Sequence, residues 1–283
     1  MQVIDRRDEF EYELIRDYQN NFNGDLGDSD EFIFSLDFSG LVKGGGVAGQ
    51  DDDKWKNNAE SIVTYRRPME IGGWSAIAPP FNFYKSFDVN DYRTGVNFDT
   101  IFVKLGENND TIATYHYSEL SSYPYPHCAK WTRFPGITMQ SNGSTSSFNW
   151  PVFRYAEVLL IAAEALNETG NTGKAVEYLN MIKERARKGK NGLQNNSVPA
   201  DLSPSLSKEE CWKAIWEERK TELAFEQKRW FDLVRRDSLV SVMSRFVPVK
   251  TGVKINPQEH HILFPIPQEE LNRTAGLVQN KGY

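Results

Sequence analysis

Glu218, Glu222 and Glu226 follow one another at intervals of four residues. On a helix this spacing puts them in one acidic row. Carboxylates so arranged can divide acid and base roles between them or share a pair of metal ions. A di-metal site of that kind needs Glu-x-x-His motifs on further helices. None of the four histidines, His116, His127, His260 and His261, lies in such a motif. The same stretch also carries its own cations. Arg219, Arg229 and Arg235 each stand three positions from Glu222, Glu226 and Asp232, so pairs within a helix are available. Buried carboxylates are seldom left unpaired, and the reading that fits is an ion-pair lattice fixing helix packing.

Other chemical motifs fail on inspection. Gly44-x-Gly46-x-x-Gly49 has the form of a dinucleotide fingerprint. It is followed by Gln50, Asp51, Asp52 and Asp53, where a pyrophosphate needs positive potential. A P-loop needs lysine where Gln50 stands. Residues 88–95 do not make an EF-hand loop, because Tyr92 takes a ligand position. The sequence has no Gly-x-Ser-x-Gly, His-Glu-x-x-His or Cys-x-x-Cys. His260-His261 precedes an apolar extended run and reads as a packing or surface pair. Glycosidase carboxylates need only meet in space, about 5–10 Å apart, so spacing singles out no pair. We therefore assign no catalytic residue, metal or cofactor.

The aromatic residues remain. Of the 36 in the chain, 25 precede Pro151, so the first half must bury or display rings and is not a polar linker. Sugars offer flat C–H faces that Trp and Tyr can cover, with Asn, Asp and Arg taking the hydroxyls. Trp74 follows Gly72-Gly73, and Tyr123 and Tyr125 alternate with Pro124 and Pro126 in a stiffened stretch. Trp55, Tyr84 and Trp131 come next as candidates. For any one of these rings the alternative is a place in the core.

The elements that position these residues are mainly helical. Ser207 and Glu210 form a capping box. From there Trp212, Ile215, Trp216, Leu223, Trp230, Phe231 and Val234 keep helical spacing. This predicts one helix over 207–236, about 45 Å long at 1.5 Å per residue, with Trp230 buried on its apolar stripe. Helices are also expected over 151–167 and 172–188, a tetratricopeptide-like pair broken at Gly170. A further helix is expected over 3–20, and strands over 31–38, 100–105 and 111–117. Residues 136–147 and 188–204 read as polar loops.

The net charge of −6 and a pI near 5.4 argue against a nucleic-acid partner. No run of 18 apolar residues is present, so the sequence shows no membrane-spanning helix. Cys128 and Cys211 form no motif.

The stretch Glu218-Arg219, Glu222-Leu223, Phe225-Glu226, Arg229-Trp230-Phe231-Asp232-Leu233 and Arg235 resembles the signature of the SusD/RagB family. Arg154-Tyr155-Ala156-Glu157, with Leu160 and Ala163-Glu164-Ala165, is similar to that family's preceding helix. Phe264-Pro265-Ile266-Pro267 and the terminal Gln279-Asn280-Lys281-Gly282-Tyr283 resemble its closing motifs, with Lys281 in place of proline. Asp91-Tyr92-Arg93 matches its Asp-x-Arg, read as a structural pair. In this resemblance Glu218, Arg219, Glu222, Glu226, Arg229, Trp230 and Asp232 are structural signature residues.

The resemblance implies a mainly α fold: a tetratricopeptide-like scaffold with long irregular loops and a few short strands. Residues 1–150 would be the loop-rich aromatic part of a C-terminal domain, and 151–283 its helical core. Family members normally carry a lipoprotein signal and a helical N-terminal half. Residues 1–8 show no apolar signal region, so the resemblance implies the C-terminal portion of a longer protein or an incomplete gene. It further implies a non-catalytic oligosaccharide binder, lipid-anchored in full-length form on the outer membrane and facing outward. Such a protein delivers nutrient to a SusC-like TonB-dependent transporter. The competing readings are a peptide-binding helical-repeat adaptor and a polysaccharide-degrading enzyme.

Overall fold

A computed structural model describes residues 2–23, 29–38, 79–105, 111–116, 126–131, 148–189, 192, 197–245 and 255–283. It gathers the chain into two compact units, Met1–Glu226 and Gln227–Tyr283.

The expected helix over 3–20 is instead two single turns, α1 (Gln2–Asp5) and α2 (Arg7–Phe10). Glu11 ends the second at φ 58°, a left-handed backbone that stops an α-helix. A 3-10 turn, Tyr18–Phe22, follows, capped by the Asp17 side chain on the Gln19 amide at 3.0 Å. Strand β1 (Phe32–Leu36) lies where alternation placed it. Two short helices, α3 (Phe81–Lys85) and α4 (Tyr92–Asn97), lead into β2 (Phe98–Asp99). β3 (Ile101–Leu105) and β4 (Thr111–His116) form the expected antiparallel pair. β5 (His127–Cys128) pairs antiparallel with β2.

Residues 151–154, expected in a helix, belong to β6 (Trp150–Arg154), antiparallel to β1. Aromatic and β-branched residues fit this pleated ladder better than a helical turn. Helix begins only at Tyr155, whose amide donates to the Glu31 carbonyl at 2.8 Å. α5 (Tyr155–Glu168) and α6 (Thr172–Lys188) then form the tetratricopeptide-like hairpin, turning at Gly170 with φ 87°. α7 (Lys208–Glu222), opened by the Ser207–Glu210 capping box, packs on both. Leu159, Leu160, Leu179 and Ile182 are fully buried between them, each stabilising the hairpin by about 1.5–3 kcal/mol. A second cluster gathers Tyr18, Phe22, Val96, Cys128, Trp131, Phe148 and Trp150.

The single 45 Å helix expected over 207–236 does not form. α7 stops at Glu222, and Phe225 and Gln227 take left-handed backbones at φ 64° and 60°. No proline or glycine lies in this stretch. The break comes from competition for carbonyls that a continued helix would use internally. The Glu222 carbonyl accepts from Tyr18 Oη at 2.8 Å, Arg154 Nη2 at 3.3 Å and Lys130 Nζ at 3.4 Å. The Phe225 carbonyl accepts from Trp131 Nε1 at 3.2 Å. A left-handed residue of this bulk costs about 1–2 kcal/mol, which these bonds offset, those from Arg154 and Lys130 being charge-assisted.

In the second unit, helix resumes as α8 (Arg229–Arg235), followed by α9 (Leu239–Met243) and α10 (Gln268–Arg273). Trp230 is not buried: it is 36% exposed and stacks on Phe264 at 6.2 Å, while Phe231 is 67% exposed. The burial inferred from its apolar spacing assumed an unbroken helix. The two closing motifs form one strap. The Gln279 side chain both accepts from and donates to the Ile266 backbone, at 2.8 and 2.9 Å. Asn280 Nδ2 donates to the Phe264 carbonyl at 2.7 Å, and Tyr283 Oη to the Leu263 carbonyl at 2.8 Å.

Candidate functional site

The three glutamates of the acidic row are buried, and each is held by cations. Glu222 is fully sealed from water and meets Arg93 at 3.0 Å, Arg154 at 3.2 Å, and Arg185. Burial alone would push its carboxyl up, but Arg185, Arg154 and Arg93 together hold it well below the usual carboxylate range. Glu218 pairs with Arg93 and with Lys183 at 3.2 Å. Glu226 takes Lys130 at 2.7 Å and Arg154 at 2.8 Å. Glu31, just before β1, joins through Arg154 and through Arg185 at 3.0 Å. Asp91 caps α4 and grips Arg93 at 2.8 Å, so the Asp-x-Arg motif is a structural pair.

This lattice ties β1, α4, β6, α6 and α7 to one point. Its pairing differs from the sequence expectation. The Arg235–Asp232 pair forms within α8 at 2.9 Å. Arg219 reaches across to Glu157 at 3.6 Å, while Glu222 and Glu226 take the cations just named from other elements. Sequence reasoning missed Glu31, Lys130 and Arg185 as partners. Arg185 carried a usable signal. It continues the apolar stripe of Ala175, Leu179 and Ile182, and a charge on such a stripe needs a buried partner.

Lys130 and Glu226 respond unequally to their pairing. Burial would raise the Glu226 carboxyl, but Arg154 and Lys130 outweigh it and hold it below its ordinary value. For Lys130, burial and the repulsion of Arg154 outweigh the attraction of Glu226 and Glu222, and its ammonium is pulled down to about 8. Its Nζ also lies over the Phe22 and Tyr18 rings, 4.4 and 5.1 Å from their centres.

The aromatic candidates divide. Trp131 is corrected to core: it is 1% exposed and packs on Phe22, Phe148 and Trp150, leaving no face for a sugar. Tyr84 is half-buried, with its ring edge-on to Phe98 at 5.1 Å and stacked with Phe81 at 6.4 Å. Trp55, Trp74, Tyr123 and Tyr125 lie outside the described residues. Among the described residues no group of three His, Cys, Asp or Glu is placed to hold a metal ion. Nor is any helix there long and apolar enough to cross a membrane.

Residues 103–283 match the SusD family model (SusD_RagB), and the chain belongs to that family. SusD-like protein P2 of Formosa agariphila is 36% identical over 99% of this chain and 54% of its own length. SusD-like protein P25 of the same organism is 26% identical over 96% of this chain and 53% of its own. The chain thus spans about half the length of these curated relatives. Among solved structures, a SusD homolog from Bacteroides thetaiotaomicron superposes with TM-score 0.74 at 21% identity, covering 96% of this chain and 56% of that one. Surface glycan-binding protein A from the same species, in complex with laminarihexaose, gives TM-score 0.69 at 22% identity, covering 99% and 59%. At these identities the solved structures establish the shared fold.

Proposed function

We propose that this chain binds oligosaccharide without cleaving it, as part of a surface nutrient-capture protein. One observation carries the reading: the buried acidic residues with the spacing for acid–base work are committed to the scaffold. Glu218, Glu222 and Glu226 are each clamped by cations and shut from water. The carboxyls of Glu222 and Glu226 are held below their ordinary value and have no proton to offer at neutral pH, and none of the three has a path to substrate. Function then falls to loops on a rigid helical frame. Membership in the SusD family supports glycan as the ligand, as does the fold shared with a protein described as glycan-binding.

In this reading Trp74, Tyr123, Tyr125, Trp55 and Tyr84 supply the sugar-stacking rings. The full-length protein is lipid-anchored on the outer membrane, faces outward and passes ligand to a SusC-like TonB-dependent transporter. The test is calorimetry against laminarihexaose, cellohexaose, maltohexaose and xylohexaose, with reducing-end release followed in parallel. At least one sugar binds and no reducing ends appear. Trp74→Ala, or Tyr123→Ala with Tyr125→Ala, weakens that binding at least tenfold, about 1.4 kcal/mol. New reducing ends would make the protein an enzyme, and silence across all four sugars would count against glucan- and xylan-type ligands.

A further inference from the structure

The pair His260-His261 takes no part in the ion-pair lattice, and the second unit gives it a place of its own. A 3-10 turn, Glu259–Ile262, opens on Gln258. The Gln258 amide donates to His261 Nδ1 at 2.8 Å, and the Gln258 side chain accepts in return from the His261 amide. This is a capping box with an imidazole where glutamate or glutamine is usual. A backbone amide only donates, so Nδ1 is the acceptor and the neutral ring carries its proton on Nε2.

The same turn carries the closing strap. The His260 ring lies edge to face with Tyr283 at 4.9 Å, and 4.2 Å from the His261 ring. Tyr283 stands 6.3 Å from His261. The Leu263 amide donates to the His260 carbonyl at 3.1 Å, so the turn sets where Leu263 and Phe264 begin. The carbonyls of these two residues are the ones held by Tyr283 Oη and Asn280 Nδ2. The titratable group beside the rings on the turn is Glu259. On the strap they are Lys281 and Tyr283 with its carboxylate. Among the described residues neither imidazole forms an ion pair with any of them.

We propose that the Gln258–His261 contact is a pH-sensitive latch for residues 279–283, closed while His261 is neutral and opened when it takes up a proton. A proton on Nδ1 turns the acceptor into a donor facing the Gln258 amide, which is left without its partner. A charge on either ring is also opposed by a charge on the other at this separation. One contact works the other way, because a protonated His260 gains a cation–π attraction to Tyr283. That gain does not restore the acceptor that Gln258 loses. His261 is exposed, so the proton arrives from solvent without the chain opening first. Once the turn opens, the Leu263 and Phe264 carbonyls move away from Tyr283 and Asn280, and the strap is released.

The test uses the full chain and follows the Ile266 amide, which donates to Gln279 Oε1 at 2.8 Å and so reports closure of the strap. Its hydrogen-exchange protection factor, with the intrinsic pH dependence of exchange divided out, is compared across the imidazole range, from about pH 8 to about pH 5. We expect it to fall about tenfold in the wild-type chain. His261→Asn keeps an acceptor near the Nδ1 position and cannot take up the proton. Its protection should stay constant to within about twofold over the same range. An equal fall in His261→Asn overturns the proposal, as does constant protection in the wild-type chain. If His261→Asn is open at both pH values, the wild-type chain decides alone. Its loss of protection must share a midpoint with the His261 ring resonance, and a different midpoint assigns the opening to another group and ends the proposal.

Discussion

Arg154 and Glu226 hold each other twice. Arg154 Nε donates to Oε2 and Nη2 to Oε1, both at 2.8 Å, with the two side chains almost sealed from water. The arginine ends a strand and the glutamate sits in a broken helix, 72 residues later in the chain. A two-point grip between planar groups fixes orientation as well as distance. It explains how the chain can hold Phe225 in a backbone that phenylalanine disfavours.

Glu222→Gln keeps the shape of the side chain and removes its charge. Arg93, Arg154 and Arg185 would then share a site one anion short. Breaking a buried ionic group from one side typically costs about 3–5 kcal/mol. A urea titration should show a midpoint lowered accordingly, and an unchanged midpoint would refute a charged centre.

Acid should destabilise the protein in two stages. His127 is 2% exposed, and burial pulls its imidazole from 6.5 down to about 4. Between these values the unfolded chain binds the proton and the folded one does not, so stability falls as pH drops from 6.5 towards 4. The window corresponds to about 3 kcal/mol. Glu222, held low, adds a loss that begins as pH falls through 4.5, where its unfolded counterpart protonates. His127→Phe should flatten the first stage and leave the second.

Two tryptophans should behave oppositely to their sequence roles. Trp131→Ala empties a core position packed by Phe22, Phe148 and Trp150 and leaves the Phe225 carbonyl short of a donor. The expected cost is about 3–5 kcal/mol. Trp230→Ala removes a partly exposed ring with one stacking contact to Phe264, worth about 1 kcal/mol. Denaturation midpoints of the two variants should differ clearly, and equal midpoints would contradict the burial seen here.

Gly282 has φ 104°, and a side chain there would run into the His260 ring. Gly282→Ala should therefore release the strap made by Gln279, Asn280 and Tyr283, costing about 1–3 kcal/mol locally. Limited proteolysis should show faster cleavage within residues 263–283, with α5–α7 unaffected.

Much of this was legible before folding. The helical period marked α5, α6 and α7, the Ser207–Glu210 box marked where α7 opens, and alternation marked β1. The acidic row declared itself an ion-pair lattice because no histidine stood by to make it a metal site. The helix break after Glu222 was not legible. Residues 207–236 contain neither glycine nor proline, and the donors that capture the Glu222 and Phe225 carbonyls come from Tyr18, Lys130, Trp131 and Arg154. Local sequence carries no record of such distant competitors. The burial of Trp131 was hidden likewise, since a tryptophan in a proline-flanked segment reads the same whether it faces sugar or core.

Glu222 is engaged through both its carboxylate and its carbonyl, by three arginines on one side and by Tyr18, Lys130 and Arg154 on the other. No single second change can compensate for its loss, because its partners come from residues 18, 93, 130, 154 and 185. A lineage could replace this centre only by altering several distant codons together. Drift one substitution at a time would be blocked here while the surrounding loops diversified freely, and a selection for second-site revertants of Glu222→Gln should return the original glutamate.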